Sequence, residues 1–342
     1  MANDDVGRRR VVVVAPNWLG DAVMALPALA DLRRAWAGAH VTVAARAPLA
    51  PLFQLVPGVD DTMALAARRG AARWSGWWTD SDRLRQGRFD IAVLLPNSFE
   101  SALSAWRAGV PRRIGFATDL RGPLLTDALE TPASSPHQAA YYQALPAGLG
   151  LATGPMAATL EVGEGARARA HALLADAGVP AGAALLVLAP GAAYGRAKQW
   201  PPERFVDLAA RAAAERQLVP VLVGTRADAA VCHEIARRLA GAGAVNLAGR
   251  TDLPTLAGLL ASAAVCVSND SGAMHLAAAA GTRVVAVFGP TDERRTYPIG
   301  PAGWRPAIVT GEAWCRPCLL RECPIDHRCM RSVTSAMVLE RL

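Results

Sequence analysis

Residues 10–46 read RVVVVAPNWLGDAVMALPALADLRRAWAGAHVTVAAR. Four consecutive valines show none of the alternation of a strand with one wet face, so Val11–Ala15 reads as a strand buried on both sides, the kind a parallel sheet needs. Apolar residues then recur at helical spacing over Asp21–Trp36, and a second β-branched run follows at Val41–Ala45. Strand, helix and strand in that order make a βαβ unit, and the loop between the first two elements leaves the carboxyl end of a strand.

The same alternation continues outward. It predicts a short helix near Leu49–Val56, a strand at Ile91–Leu95 and a helix at Phe99–Arg107. Residues 112–138 are rich in Gly, Pro and Thr and read as loop, and a helix at Ala139–Leu145, stopped by Pro146, closes a first domain. The pattern then restarts. Strands are predicted at Leu185–Ala189, Val219–Val223, Ala244–Leu247, Val265–Ser268 and Arg283–Phe288. Helices are predicted at Glu164–Ala177, Pro202–Arg216, Ala227–Leu239, Leu253–Ala261 and Ala273–Ala280, and Val333–Leu342 is helix-compatible. A chain of 342 residues is too long for one ordinary core of ~100–200 residues. The expectation is therefore two doubly wound α/β domains, 1–160 and 161–342, with their junction within 157–178. Facing each other, such domains leave a cleft at the carboxyl ends of their strands, where α/β sheets bind ligands.

With 52% hydrophobic and 19% charged residues, the chain is globular rather than disordered. It has no run of roughly 18 apolar residues, and its start, MANDDVGRRR, lacks the order of a secretory signal, so the reading is a cytoplasmic protein. A formal net charge of +7 favours an anionic partner. Nucleic acid is disfavoured, since no binding module or interleaving of aromatic and basic residues is present.

Three strand-to-helix loops carry chemistry. In residues 16–21, PNWLGD, Asp21 reads either as a first-turn acid complementing the helix dipole or as a general base. In residues 190–201, PGAAYGRAKQWP, two glycines, free amides and two cations suit a diphosphate, with Lys198 as its ligand. Trp200 and Pro201 look like a helix entry. In residues 268–275, SNDSGAMH, a strand runs into a small polar turn at a helix start, the usual geometry for phosphate oxygens. Asp270, Ser271, Gly272 and His275 are its candidates. This third loop is the most specific signal in the chain.

Together, the segments APNWLGDAVMALPAL, LPNSFESAL, PGAAYGRAKQWP, SNDSGAMHLAAA and FGPT resemble the ADP-heptose:lipopolysaccharide heptosyltransferase family, with its heptosyltransferase II branch the nearest. The resemblance implies a GT-B fold and an inverting transfer of heptose from ADP-L-glycero-D-manno-heptose to the inner-core heptose of lipopolysaccharide. By the same resemblance Asp21 is the base and Lys198, Ser271, Gly272 and His275 contact the donor phosphates, with Asp270 near the transferred sugar. Asp228 falls where the family has an acid on the donor ribose, although a longer Glu is common there. Asn97 and Ser98 resemble an acceptor-side loop, and a helix cap is an equal reading. The acceptor would be a lipid-A-linked core oligosaccharide, met at the inner membrane face, with Arg112, Arg113 and Arg121 turned toward lipid phosphates. Competing readings are another GT-B nucleotide-sugar transferase or an epimerase, and a two-domain binding protein that closes on a small anion.

No cofactor is expected for catalysis, because the cations and amides already answer the leaving group's charge. Cys315, Cys318, Cys323 and Cys329 crowd around His327. The C-x-x-C opening suits a structural metal, but the later spacings match no standard zinc signature, and packed or redox-active thiols are the alternative. Cys232 and Cys266 read as ordinary buried thiols.

Overall fold

The valines of the first strand are completely or almost completely buried, Val11 and Val12 at 0% exposure, because they occupy the middle of a parallel sheet. The computed structural model describes residues 9–66 and 72–342, and the chain divides into two units, Met1–Ala157 and Ala158–Leu342. In the first, β1 (Arg10–Val14), β2 (His40–Arg46), β3 (Asp61–Leu65), β4 (Ile91–Leu94), β5 (Arg112–Phe116) and β6 (Asp127–Leu129) lie in the order β3-β2-β1-β4-β5-β6. Every neighbouring pair is parallel. Helices α1 (Leu19–Met24), α2 (Leu26–Ala35), α3 (Ala72–Gln86), α4 (Phe99–Arg107) and α5 (Gln138–Gly148) connect and cover the strands. Val12, Val14, Ala92 and Leu94 pack with Phe89, Ala102 and Ala105 in one apolar cluster.

Three expectations are corrected here. The single helix over Asp21–Trp36 is two, parted at Ala25, because Pro27 falls in the first turn of α2 and has no N–H for an unbroken ladder. Residues 112–138 are not all loop: β5 and β6 lie within them, the first starting with two arginines and the second only three residues long. Neither has an apolar run that the sequence could advertise. Helix α5 passes through Pro146. That residue sits in the last turn, where its ring costs one hydrogen bond and its carbonyl accepts from the amides of Leu149 and Leu151, both at 3.1 Å.

The second unit repeats the winding. Its strands are β7 (Leu185–Ala189), β8 (Val219–Leu222), β9 (Val245–Asn246), β10 (Val265–Asn269), β11 (Val284–Phe288) and β12 (Ala307–Thr310), in the order β12-β11-β10-β7-β8-β9. Its helices are α6 (Glu164–Asp176), α7 (Pro202–Arg216), α8 (Ala229–Arg238), α9 (Leu253–Ala261), α10 (Gly272–Ala279), α11 (Glu293–Thr296), α12 (Arg328–Arg331) and α13 (Ser335–Leu339). Leu186, Leu188, Phe205, Leu208, Val265, Val267, Val285 and Val287 form its core. The terminal helix α13 docks on α7, with the Ser335 hydroxyl bonded to Asp207.

Taken from their central strands, both sheets have the doubly wound order 3-2-1-4-5-6. The winding reverses between β1 and β4 in one and between β7 and β10 in the other. Loops leaving two such strands run to opposite faces and part, opening a crevice at the strands' carboxyl ends. The four loops that follow these strands carry Asp21, Asn97 and Ser98, Lys198, and Asp270 to Gly272. Each unit therefore presents its candidate residues at its own switch point.

Candidate functional site

In the first unit the extended residue Trp18 leads into α1 without capping it through its side chain. Its indole is 55% exposed. Asp21 lies in the first turn of α1, where the helix dipole favours its carboxylate. The Tyr142 hydroxyl, on α5, donates to Asp21 Oδ1 at 3.3 Å. Burial, then the charge of Asp21, pushes the Tyr142 phenol well above its ordinary value of 10.0.

After β4, Asn97 donates from Nδ2 to the Tyr141 hydroxyl at 2.6 Å and accepts at Oδ1 from Arg121 Nη2 at 3.5 Å. Ser98 is the N-cap of α4, its hydroxyl accepting from the Ser101 amide at 3.4 Å, so the capping reading describes it. Arg121 is fully buried. It donates to the carbonyls of Phe116, at 2.8 Å, and Pro96, and to the Ser101 hydroxyl at 3.1 Å. Burial pulls its guanidinium down from 12.5 to about 10. Facing lipid phosphates is therefore the wrong role for Arg121. Its neighbours are also engaged: Arg112 grips Asp127 with 2.8 Å and 3.2 Å bonds, and Arg113 donates to the carbonyls of Leu124 and Val110, both at 2.6 Å.

In the second unit Lys198 ends a short turn, Arg196–Lys198, and its ammonium meets Asp270 Oδ2 at 2.6 Å, with side chains only 13% and 5% exposed. The same carboxylate oxygen accepts from the Thr291 hydroxyl at 2.6 Å. Tyr194 lies beneath the ammonium, its ring centre 4.7 Å away. The sequence brings Lys198 and Asp270 into consideration separately; the fold makes them one buried ion pair. Asn269, fully buried, clips the two loops together by accepting from the Trp200 amide at 3.0 Å and donating to the Pro190 carbonyl at 2.7 Å. Trp200 itself is a core residue, 1% exposed.

Ser271 is extended and does not cap α10 through its side chain. Its hydroxyl instead shares a hydrogen bond with Ser268 at 3.1 Å. Gly272 opens the helix and His275 follows on the first turn, buried at 2% exposure. This amide-rich start, beside a held cation, can meet an anion with both N–H groups and dipole. Asp228 closes a capping box, one oxygen accepting from the amide and hydroxyl of Thr225 at 2.8 and 2.7 Å. Its carboxylate leaves no room for a side chain at Gly191, so it also shapes the Lys198 loop.

The cysteine-rich tail braces that loop. Ala197 donates to the Arg321 carbonyl at 2.9 Å, the Tyr194 hydroxyl to the Leu319 carbonyl at 2.9 Å, and the His327 ring binds the Ala197 carbonyl at 2.6 Å. Cys315, Cys318, Cys323 and Cys329 line one small cavity, all four as unpaired thiols. Among the described residues no three His, Cys, Asp or Glu side chains are grouped to hold a metal ion. Burial lifts Cys232 and Cys266 to about 12, the behaviour of inert core thiols. A cavity of about 410 Å³ between loop and tail is lined by Arg196, Glu203, Glu322, His327 and Arg331. Neither Lys198 nor Asp270 lines it, and its mixed charges do not suit a diphosphate.

Sequence reasoning passed over Tyr141, Tyr142, Asn269 and Thr291. Thr291 and Asn269 had a signal, the FGPT and SNDSGAMH segments, and the two tyrosines act across long separations. No helix among the described residues is long and apolar enough to cross a membrane.

Residues 78–328 match glycosyltransferase family 9 (heptosyltransferase). Lipopolysaccharide heptosyltransferase 2 of Salmonella typhimurium is 31% identical over 313 residues, 88% of this chain and 89% of that protein. The protein of the same name from Escherichia coli is 30% identical over 345 residues, 97% of each. The solved structure of E. coli ADP-heptose lps heptosyltransferase II superposes with a TM-score of 0.80 at 27% identity, covering 97% of both chains. Two six-stranded parallel sheets of this winding are the GT-B fold of that enzyme, and the chain belongs to glycosyltransferase family 9, the heptosyltransferases.

Proposed function

We propose that this glycosyltransferase moves heptose from ADP-L-glycero-D-manno-heptose to the inner-core heptose of a lipid-A-linked lipopolysaccharide, with inversion at the anomeric carbon. The observation that carries the reading is the buried Lys198–Asp270 pair beside the uncapped start of α10. It is a cation fixed in place before any anion arrives, next to amides aimed outward. Preorganised charge of this kind stabilises a leaving group without reorganisation at the moment of reaction.

In this reading Asp21 takes the proton of the acceptor hydroxyl as that oxygen bonds to the anomeric carbon on the face opposite the diphosphate. The bond to the diphosphate breaks and ADP leaves with its electron pair. Lys198, the amides of Ser271 and Gly272, and His275 receive the growing charge. Asp270 lies near the transferred sugar, and Asp228 is assigned the donor ribose. Asn97 and the exposed indole of Trp18 serve the acceptor. No metal is required by these roles, so transfer is expected to persist in EDTA, and activity abolished by the chelator would overturn that part. With a lipid-linked acceptor, the enzyme works at the inner face of the membrane as a peripheral protein.

The test is ADP release from ADP-heptose with and without a heptosylated lipid-A core acceptor, for the parent and Asp21→Ala. Release that needs the acceptor and collapses in the variant is expected. Release without acceptor, or indifference to Asp21, would refute the assignment.

A further inference from the structure

Three consecutive residues of α5 reach three different elements. Tyr141 accepts from Asn97 Nδ2 at 2.6 Å. Tyr142 donates to Asp21 Oδ1 at 3.3 Å. Gln143 donates to Asp31 Oδ2 on α2 at 2.8 Å and to the Gly154 carbonyl at 3.2 Å, while the Gly154 amide returns a 2.8 Å bond to Asp31 Oδ1. Successive helical residues point about 100° apart, so one turn can touch both crevice loops while its back is clamped to a wholly buried Asp31.

The tyrosines are also fixed against each other and the sheet. Tyr141 packs at 5.0 Å on Phe116 of β5 and at 5.8 Å, edge-on, against Tyr142. Tyr142 is 6% exposed, and a phenol held protonated by burial beside a carboxylate can only donate to it. At the other crevice loop, Asn97 Oδ1 takes the Arg121 guanidinium while Nδ2 gives to Tyr141, which settles which way the amide faces.

We propose that Tyr142 and Tyr141 are positioning residues of the acceptor side: Tyr142 aims the carboxylate of Asp21 and Tyr141 aims the amide of Asn97, both from the single frame of α5. The inference rests on the reading of Asp21 as the base. Neither tyrosine touches the reacting atoms. Tyr142 removes a rotational freedom from the base and Tyr141 from an acceptor-binding amide, the support such groups need if they are to be held within a fraction of an ångström.

The experiment uses the full-length enzyme and the variants Tyr142→Phe, Tyr141→Phe and Asp21→Asn, with kcat, both KM values and Tm measured for each. Phenylalanine keeps both rings and their packing. Tyr142→Phe, which gives up the hydroxyl's bonds to Asp21 and Gln138, is expected to lower kcat about tenfold, with donor KM unchanged and only a small fall in Tm. Tyr141→Phe is expected to raise the acceptor KM several-fold with kcat nearly constant. A Tyr142→Phe enzyme with parental kcat, beside an inactive Asp21→Asn, would overturn the positioning role and leave the base reading standing. A fall in Tm with both KM values rising would make the tyrosine a packing residue and overturn the proposal. Parental turnover in Asp21→Asn would remove the base reading and this inference with it.

Discussion

Replacing Lys198 by Met keeps the length of the side chain and deletes its charge, which leaves Asp270 at 5% exposure with the Thr291 hydroxyl as its remaining polar contact from the pair's surroundings. Breaking a buried ion pair from one side costs ~3–5 kcal/mol because the surviving charge stays in a poor solvent. The 2.6 Å bond from Thr291 places this case at the low end, about 3 kcal/mol. In a unit of this size that is a fall in Tm of roughly 6–12 °C. Asp270→Asn removes the orphaned charge, so the double variant should recover most of the loss, with a coupling of about 2 kcal/mol in a double-mutant cycle of thermal or urea unfolding. Because both groups are shielded from solvent, raising the salt concentration from 0.1 to 1 M should leave the coupling nearly unchanged. Turnover is a separate readout: Lys198→Met should lower kcat by about 10²–10³, the usual effect of losing one preorganised group on developing charge. Stability effects that simply add would refute the pair as an energetic unit, and a coupling that salt abolishes would place it in solvent.

Other expectations concern the supports of the site. A methyl group at Gly195 would collide with the Arg321 carbonyl, so Gly195→Ala should cost about 1–3 kcal/mol and raise the donor KM while the acceptor KM stays constant; steady-state kinetics in both substrates decides it. Arg121→Met strands the carbonyls of Phe116 and Pro96 and should destabilise by about 3 kcal/mol, with Arg121→Lys recovering little because an ammonium lacks the fork; urea unfolding measures both. Asp127 is held below its ordinary 3.8 by its hydrogen bonds from Arg112. Its contribution is therefore present above that value and disappears as the pH falls through the lowered one. Asp127→Asn should flatten the acid limb of stability against pH, and identical acid limbs would show that the pair contributes nothing.

What the sequence revealed was whatever is written in short range. Leu185–Ala189, Pro202–Arg216 and Leu253–Ala261 appear in the structure with the boundaries their apolar spacing predicts. Strands at or next to a sheet edge were hidden: β3, β6 and β12 have one neighbour each and β5 lies one strand in, and their partly exposed runs need no continuous apolar stretch. Candidate loops were legible because glycine, small polar residues and a helix start announce an anion site locally. Their partnerships were not. Tyr142 stands 121 residues from Asp21, and nothing in either segment encodes the other. The arginines near residue 112 misled for a related reason: sequence shows a charge but not the carbonyls and carboxylate that the fold sets around it.

The brace on the Lys198 loop also bears on the order in which the protein is made. The Ala197 carbonyl is held by a ring that follows it by 130 residues. At about 5–20 residues per second, the loop leaves the ribosome several seconds before the backbone that fixes it. Strands β7 to β11 can assemble in that interval, but the Lys198 loop takes its final shape only after His327 has been added. A nascent chain therefore carries a folded sheet with an unbraced Lys198 loop until His327 follows.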